Sequence, residues 1–317
     1  MRSVDKILNK RSYEGTSISD MVRELQLIPS EIAPAIKSHN LGSVDVQKLV
    51  DDIKSMGVLP TSLKLVRDNT PWNGYLAGQL IQWVAPPGVG KSAIMLQEAL
   101  VIAMQGNKVM WYAMGDLTLY DFMCRSTSIL TGQNYFDIAV NLNKYLTDDI
   151  KKVLSNIDLV VEPALTVSVQ QVEQLVQNSS TFYNLVVCDY DSNFIVEGST
   201  DNMYQDGGIM YSRLSAMGRP SVGDYRVVFV GCQPKSYYWN QERLGEDSAG
   251  ESARKQHAVD MMITLGAASS GQIPCGIMAI TKMRRGSKGE TPYKMTKCGR
   301  FQEISKEEYA MTKTWSS

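Results

Sequence analysis

The chain has 317 residues, of which 44% are apolar and 21% charged, a balance that excludes wholesale disorder and allows one large domain with an appendage. Lys and Arg number 32 against 33 for Asp and Glu, so no strong field draws the chain to nucleic acid or an anionic membrane, and any such contact must come from local patches. Five scattered cysteines with no CxxC pair, and only two histidines (His39 and His257), exclude a disulfide framework and a zinc centre.

The opening MRSVDKILNKRS has no apolar signal core, and no run of about 18 apolar residues follows, so a soluble, cytoplasmic chain without membrane contact is expected. Residues 1–60 hold short amphipathic stretches at helical spacing, Ser19 to Leu25 and Val44 to Val50, separated by Pro29, Pro34 and Gly42. They read as a small N-terminal helical region, and the stretch from Gly57 to Gly74 reads as a linker into a main domain over residues 61–317.

From residue 78 short apolar runs alternate with helical stretches. The runs are Leu80 to Val84, Val109 to Ala113, Ile157 to Val161, Leu185 to Asp189 and Val227 to Gly231. Continuous β-prone runs predict strands covered on both faces, and the long segments between them suit crossover helices. The fold class expected is α/β with a mostly parallel sheet. Met261 to Leu265, Ile277 to Lys282 and Tyr293 to Cys298 follow closely and read as antiparallel strands extending the sheet.

Between the first run and the helical stretch from Ala93 to Gln105 lies Ala85-Pro86-Pro87-Gly88-Val89-Gly90-Lys91-Ser92, a Walker A pattern with Ala in place of the first Gly. Small residues let backbone N–H groups wrap phosphates, Lys91 reaches the β- and γ-phosphates, and Ser92 offers a hydroxyl to Mg²⁺. The helix N-terminus adds partial positive charge. ATP with Mg²⁺ is the expected ligand. The run ending in Asp189 supplies the second carboxylate that a P-loop site needs for the metal.

These motifs occur in an order that resembles the ATPase core of DnaB-type hexameric replicative helicases, within the RecA-like P-loop group, over about residues 60–305. The stretch from Trp72 to Leu80 is similar to the family's entry into its first core strand, and VVCDY to its Walker B motif. By that resemblance Gln233, at the end of VVFVGCQ, senses the γ-phosphate, and Lys282 and Arg284 of ITKMRRG reach across a subunit boundary onto a neighbour's γ-phosphate. The resemblance also implies a homo-oligomeric ring, phage-type in its short N-terminal part, with single-stranded DNA and a primase or other replication proteins as partners.

One departure stands out. Where the family carries a catalytic glutamate after the second core strand, direct alignment places Gly115, with Asp116 one residue on. Asp116 is either the base that activates water or the N-cap of the following helix. Asp191 is the alternative carboxylate. Of the loops that meet DNA in the family, Gly198 to Gly208 is acidic here. The second, residues 235–255, offers Lys235, Arg243, Arg254 and Lys255 beside Tyr237, Tyr238 and Trp239. Cations beside aromatics suit a single strand, and the aromatics equally suit packing between subunits. His257 is expected to be structural. Three functions are consistent with these residues: an ATP-dependent helicase, a RecA-like recombinase, and an ATP-binding assembly or loader protein with weak hydrolysis.

Overall fold

The computed structural model describes residues 57–115, 117–198, 203–220, 224–249, 253–268 and 274–314, with Asp45, Gln47 and Asp51 singly. The helical region expected over residues 1–60 lies almost wholly outside them.

The expected linker is structured instead. Strand β1 (Val58–Leu59) pairs antiparallel with β2 (Tyr75–Leu76), and helix α1 (Lys64–Asn69) lies between them. Leu59, Leu63, Val66 and Tyr75 are buried in the main core. A polar tie fixes the same segment: the carboxylate of Glu98 accepts from Ser62 N at 3.1 Å, Tyr75 OH at 2.8 Å, and the hydroxyls of Thr61 and Ser62. A carboxylate with no exposed surface costs heavily unless its lone pairs are filled, and here the supposed linker fills them.

Each apolar run forms a strand. They are β3 (Leu80–Val84), β4 (Val109–Met114), β5 (Ile157–Glu162), β6 (Leu185–Asp189), β7 (Val227–Cys232), β8 (Met261–Leu265), β9 (Cys275–Met283), β10 (Gly289–Met295) and β11 (Phe301–Glu303). They make one nine-stranded sheet in the order β11-β10-β9-β8-β3-β7-β6-β4-β5. The strands from β8 to β5 in that order run parallel, and β9, β10 and β11 extend the sheet antiparallel. Two expectations are corrected. β8 pairs parallel with β3 and only its other side is antiparallel, and β10 ends at Met295 because the chain turns at Gly299 (φ +79°) before β11.

Both faces are covered, so alternate residues of β3 enter two separate cores. Ile81 and Trp83 pack with helices α2 (Lys91–Met104) and α3 (Leu119–Thr131) on one face. Short helices α4 (Tyr135–Val140), α5 (Leu142–Tyr145) and α6 (Asp148–Leu154) lead from α3 to β5. Leu80 and Val84 pack on the other face with α7 (Val169–Asn178) and α8 (Met203–Gly218). Helix α9 (Ala253–Ala258) precedes β8, and α10 (Lys306–Thr314) follows β11.

Burial raises the Glu98 carboxyl above its ordinary value. The folded chain therefore keeps that proton where the unfolded chain has lost it. The resulting stabilisation is complete below the unfolded value, about 4.3, and is lost as pH rises through the folded value. Denaturant titrations at a series of pH values from 4.5 to 7 should show this decline in the wild type and a flatter profile in Glu98→Gln. Glu98→Ala, which leaves the donors without an acceptor, should cost about 3 kcal/mol.

Candidate functional site

The phosphate loop leaves the carboxyl end of β3 and enters α2 through Gly90, which has φ +103° and is followed by a helix with no side-chain cap. The first amides of a helix have no intrahelical acceptor, so here they remain available to an anion. Glycine is required at 90 twice over. The φ is one that side chains rarely adopt, and a β-carbon would stand 2.8 Å from the Phe301 ring and 3.0 Å from the Met295 sulfur. The antiparallel extension thus braces the loop from outside.

Lys91 is buried. Its Nζ lies 3.2 Å from Oδ1 of Asp189 at the end of β6, and 4.1 Å from the centre of the Tyr190 ring. The loop opens into a cleft of about 700 Å³ lined by Ala85 to Gly88, Gly90 to Ser92, Gln233 and Tyr190, with Arg125 and Tyr135 toward its outer part. The structure therefore brings together the Walker A residues, Asp189 and Gln233, with Val89 buried beneath. The Ser92 hydroxyl and the Asp189 carboxylate are both oxygen donors, a set that fits magnesium with retained waters and not a soft metal. Among the described residues no group of three or more His, Cys, Asp or Glu gathers around a metal position.

The water-activating carboxylate is not among the residues lining this cleft. Gly115 has φ +130°, and a β-carbon there would meet Asn193 Nδ2 at 3.1 Å, so position 115 is built for glycine. Asp116 lies outside the described residues, and its reading as an N-cap is corrected. Thr118 caps α3, accepting from Asp121 N at 3.0 Å in a reciprocal capping box. Asp191 does not line the cleft; it is 2% exposed and bonded to Tyr211 and Lys255.

Lys282 and Arg284 lie elsewhere. Lys282 Nζ donates to the Gln256 carbonyl, and Arg284 donates to the His257 carbonyl and sits 3.5 Å from Asp260. Burial, and next the Arg284 charge, pull the Lys282 ammonium below its ordinary value. Asp260 also accepts from Leu80 N at 3.0 Å, so Arg284 stands beside the first residue of β3 whereas the phosphate loop follows the last. Five residues of strand, roughly 17 Å, separate the two.

The expected DNA-contacting residues divide. Lys235 is exposed, 6.0 Å from the exposed Tyr237 ring, and Trp239 is also exposed. Tyr238 is buried, its hydroxyl on Asp247, and so is packed within the chain. Arg243 is exposed and paired with Glu290 at 2.7 Å. Arg254 falls in α9. Lys255 is a correction: it is buried, with Nζ 3.1 Å from Asp191 Oδ2, and cannot also meet a phosphate from that position. His257 is exposed, and its carbonyl holds Arg284.

Sequence reasoning passed over Arg125 and Tyr135. Arg125, Ser128 and Ile129, at i, i+3 and i+4 of α3, share the face that lines the cleft, a spacing visible in the sequence.

No family model and no curated protein sequence matches the chain. Solved structures do. An isolated ATPase domain of the DnaB-like helicase group matches 85% of this chain and all of its own length, with a TM-score of 0.65 at 16% identity. A DnaB-like replicative helicase, described with its interactions with primase, matches 96% of this chain and 75% of its own, with a TM-score of 0.66 at 16% identity. The fold is RecA-like. A RadB recombinase shares it with a TM-score of 0.54 at 15% identity over 78% of this chain. Among the described residues of this RecA-like chain no helix is long and apolar enough to cross a membrane.

Gly231, next to the end of β7, faces the lysine: a β-carbon there would stand 2.8 Å from Lys91 Nζ and 3.2 Å from its Cδ. Gly231→Ala should therefore displace the ammonium. A fluorescent ATP analogue should bind about tenfold more weakly, with the melting temperature almost unchanged.

Proposed function

We propose that this chain is an Mg-ATP-dependent motor that assembles into a ring, most simply a hexamer, and translocates on single-stranded DNA as a helicase of replication. The observation that carries the reading is the separation of Arg284 from Lys91 by the length of β3. A chain whose phosphate loop and basic strand end sit at opposite ends of one sheet cannot complete a phosphoryl-transfer site alone, and head-to-tail copies can. The likeness to two DnaB-like structures supports the same arrangement.

In this reading the loop amides and Lys91 hold the β- and γ-phosphates, and binding draws Lys91 away from Asp189. Ser92 and Asp189 would hold Mg²⁺, whose charge offsets that of the phosphates. Gln233, at the cleft wall after β7, reports γ-phosphate occupancy to the loop carrying Lys235, Tyr237, Trp239 and Arg243, which with Arg254 meets DNA. Arg284 of a neighbouring copy stabilises charge spreading over the γ-phosphate oxygens, an effect worth roughly 10³–10⁵ in rate. Primase or another replication protein is a partner by analogy with the helicase structure described with primase.

One observation favours a second reading. Gly115 occupies a glycine-only backbone, and no carboxylate lines the cleft among the described residues, which fits an ATP-binding assembly factor with slow hydrolysis.

Turnover of ATP measured with and without single-stranded DNA separates the two. The motor reading expects DNA-stimulated turnover that vanishes in Lys91→Ala. Tight binding with negligible turnover in both conditions would establish the second.

Arg284→Ala should retain nucleotide binding and lose roughly a thousandfold in turnover, because the finger acts on charge developed in the transition state. Mixing it with Lys91→Ala protein rebuilds complete sites wherever the Arg284 variant supplies the loop and the Lys91 variant supplies the finger. Recovered ATPase in the mixture is the expected result. A monomer with full activity that ignores Arg284→Ala overturns the shared site.

A further inference from the structure

Behind the nucleotide cleft, on the face carrying α8 and α9, lies a buried polar group that the motor reading leaves unused. Asp191, two residues beyond Asp189, accepts through Oδ2 from Lys255 Nζ at 3.1 Å and from Tyr211 OH at 2.9 Å, and through Oδ1 from Ser192 N at 2.8 Å. Tyr211 OH in turn accepts from Gln82 Nε2 at 2.8 Å, which ties the group to the middle of β3. The side chains of Asp191 and Lys255 are 3% and 9% exposed. Cys232, which precedes Gln233, abuts the same carboxylate, and burial with that charge beside it pushes its thiol up to about 12.

Two charges buried in this way are a poor route to stability, because an apolar pair of similar volume packs as well or better without the desolvation cost. What an ion pair adds is direction. Lys255 lies on α9, and the next two residues of that helix, Gln256 and His257, supply the carbonyls that hold Lys282 and Arg284. A helix of only six residues thus touches the Walker B end of the sheet through one side chain and the basic strand end through its last carbonyls. Room for the lysine is provided by Gly207 of α8, where a β-carbon would stand 2.5 Å from Lys255 Cε and 3.3 Å from its Cγ.

We propose that Asp191 and Lys255 are positioning residues: their ion pair registers α9 against the phosphate end of the sheet, so that nucleotide occupancy beside Asp189 sets the placement of Lys282 and Arg284 offered to the next copy. The proposal rests on the ATPase reading and deepens it. Coupling through a chain of contacts has to be shown by perturbing the link while leaving both ends intact. Asp191→Leu/Lys255→Met does so by replacing charge with apolar volume, and Gly207→Ala does so by pushing the lysine tip aside while both charges remain.

The test compares wild type with each variant, using an ATP analogue that is not hydrolysed, with Mg²⁺. Hydrogen exchange of residues 253–258 and 282–285 is recorded with and without the analogue, and ATP turnover is measured separately. In the wild type the analogue should change exchange in both segments. In the double variant, binding should stay within about threefold while the exchange response disappears and kcat falls about tenfold with KM little changed, the pattern of a lost transition-state contact. Gly207→Ala should reproduce that loss and serves as the reading if the double variant does not fold. A wild-type exchange response and kcat in a folded variant overturn the positioning role alone. A wild-type chain that fails to bind the analogue overturns the ATPase reading, and the coupling with it.

Discussion

β3 has parallel partners on both sides, β7 and β8, and a packed core on each face, so its direction is fixed over its whole length. The chain leaves Val84 with no freedom to choose where the next helix begins. The loop that follows must turn in the space left between Asp189 on one side and the Phe301 ring on the other, and only glycine at 90 fits both its backbone angle and that ring. Parallel strands end together, so Asp189 and Gln233 arrive at the same edge as the loop without further instruction. The same constraint sends Asp260 and Arg284 to the other edge, and the chemistry of one molecule is divided between its two ends.

The strands were legible because continuous apolar runs have few other uses in a chain of this composition, and the phosphate loop because its residue types are each required. Less was visible where contacts come from far along the chain. Residues 57–74 look like a linker by their Pro and Gly, and nothing local announces that Glu98, more than twenty residues on, collects the hydroxyls of Thr61, Ser62 and Tyr75. Lys255 looked like one cation of a DNA loop because burial of a lysine depends on finding Asp191 across the fold. The cap of α3 was misplaced by two residues: Asp116 and Thr118 are both good caps, and only Thr118 has Asp121 three residues on to complete the box.

Two carboxylates, Glu98 and Asp191, are buried more deeply than Asp189. Glu98 is met by neutral hydroxyls and an amide, and burial shifts it toward its protonated form. Asp191 is met by an ammonium and a phenol. The first arrangement fastens an entry segment to the helix that carries the phosphate loop. The second binds α8 and α9 to the strand end beside the cleft. Both put polar cost close to the site, where exact placement of a few side chains matters more than added stability.

The sheet ends at β5 on one side and at β11 on the other. β5 carries exposed Asp158 and Glu162, and β11 is only three residues long. Neither margin offers a long, flat ladder of unpaired amides onto which another copy could zip. Copies that share Lys91 and Arg284 would meet through side chains and loops, with every main-chain ladder complete inside its own protomer. A joint of that kind can part and re-form at each nucleotide cycle without melting any strand, a mechanical property that a motor needs and that a continued sheet would forbid.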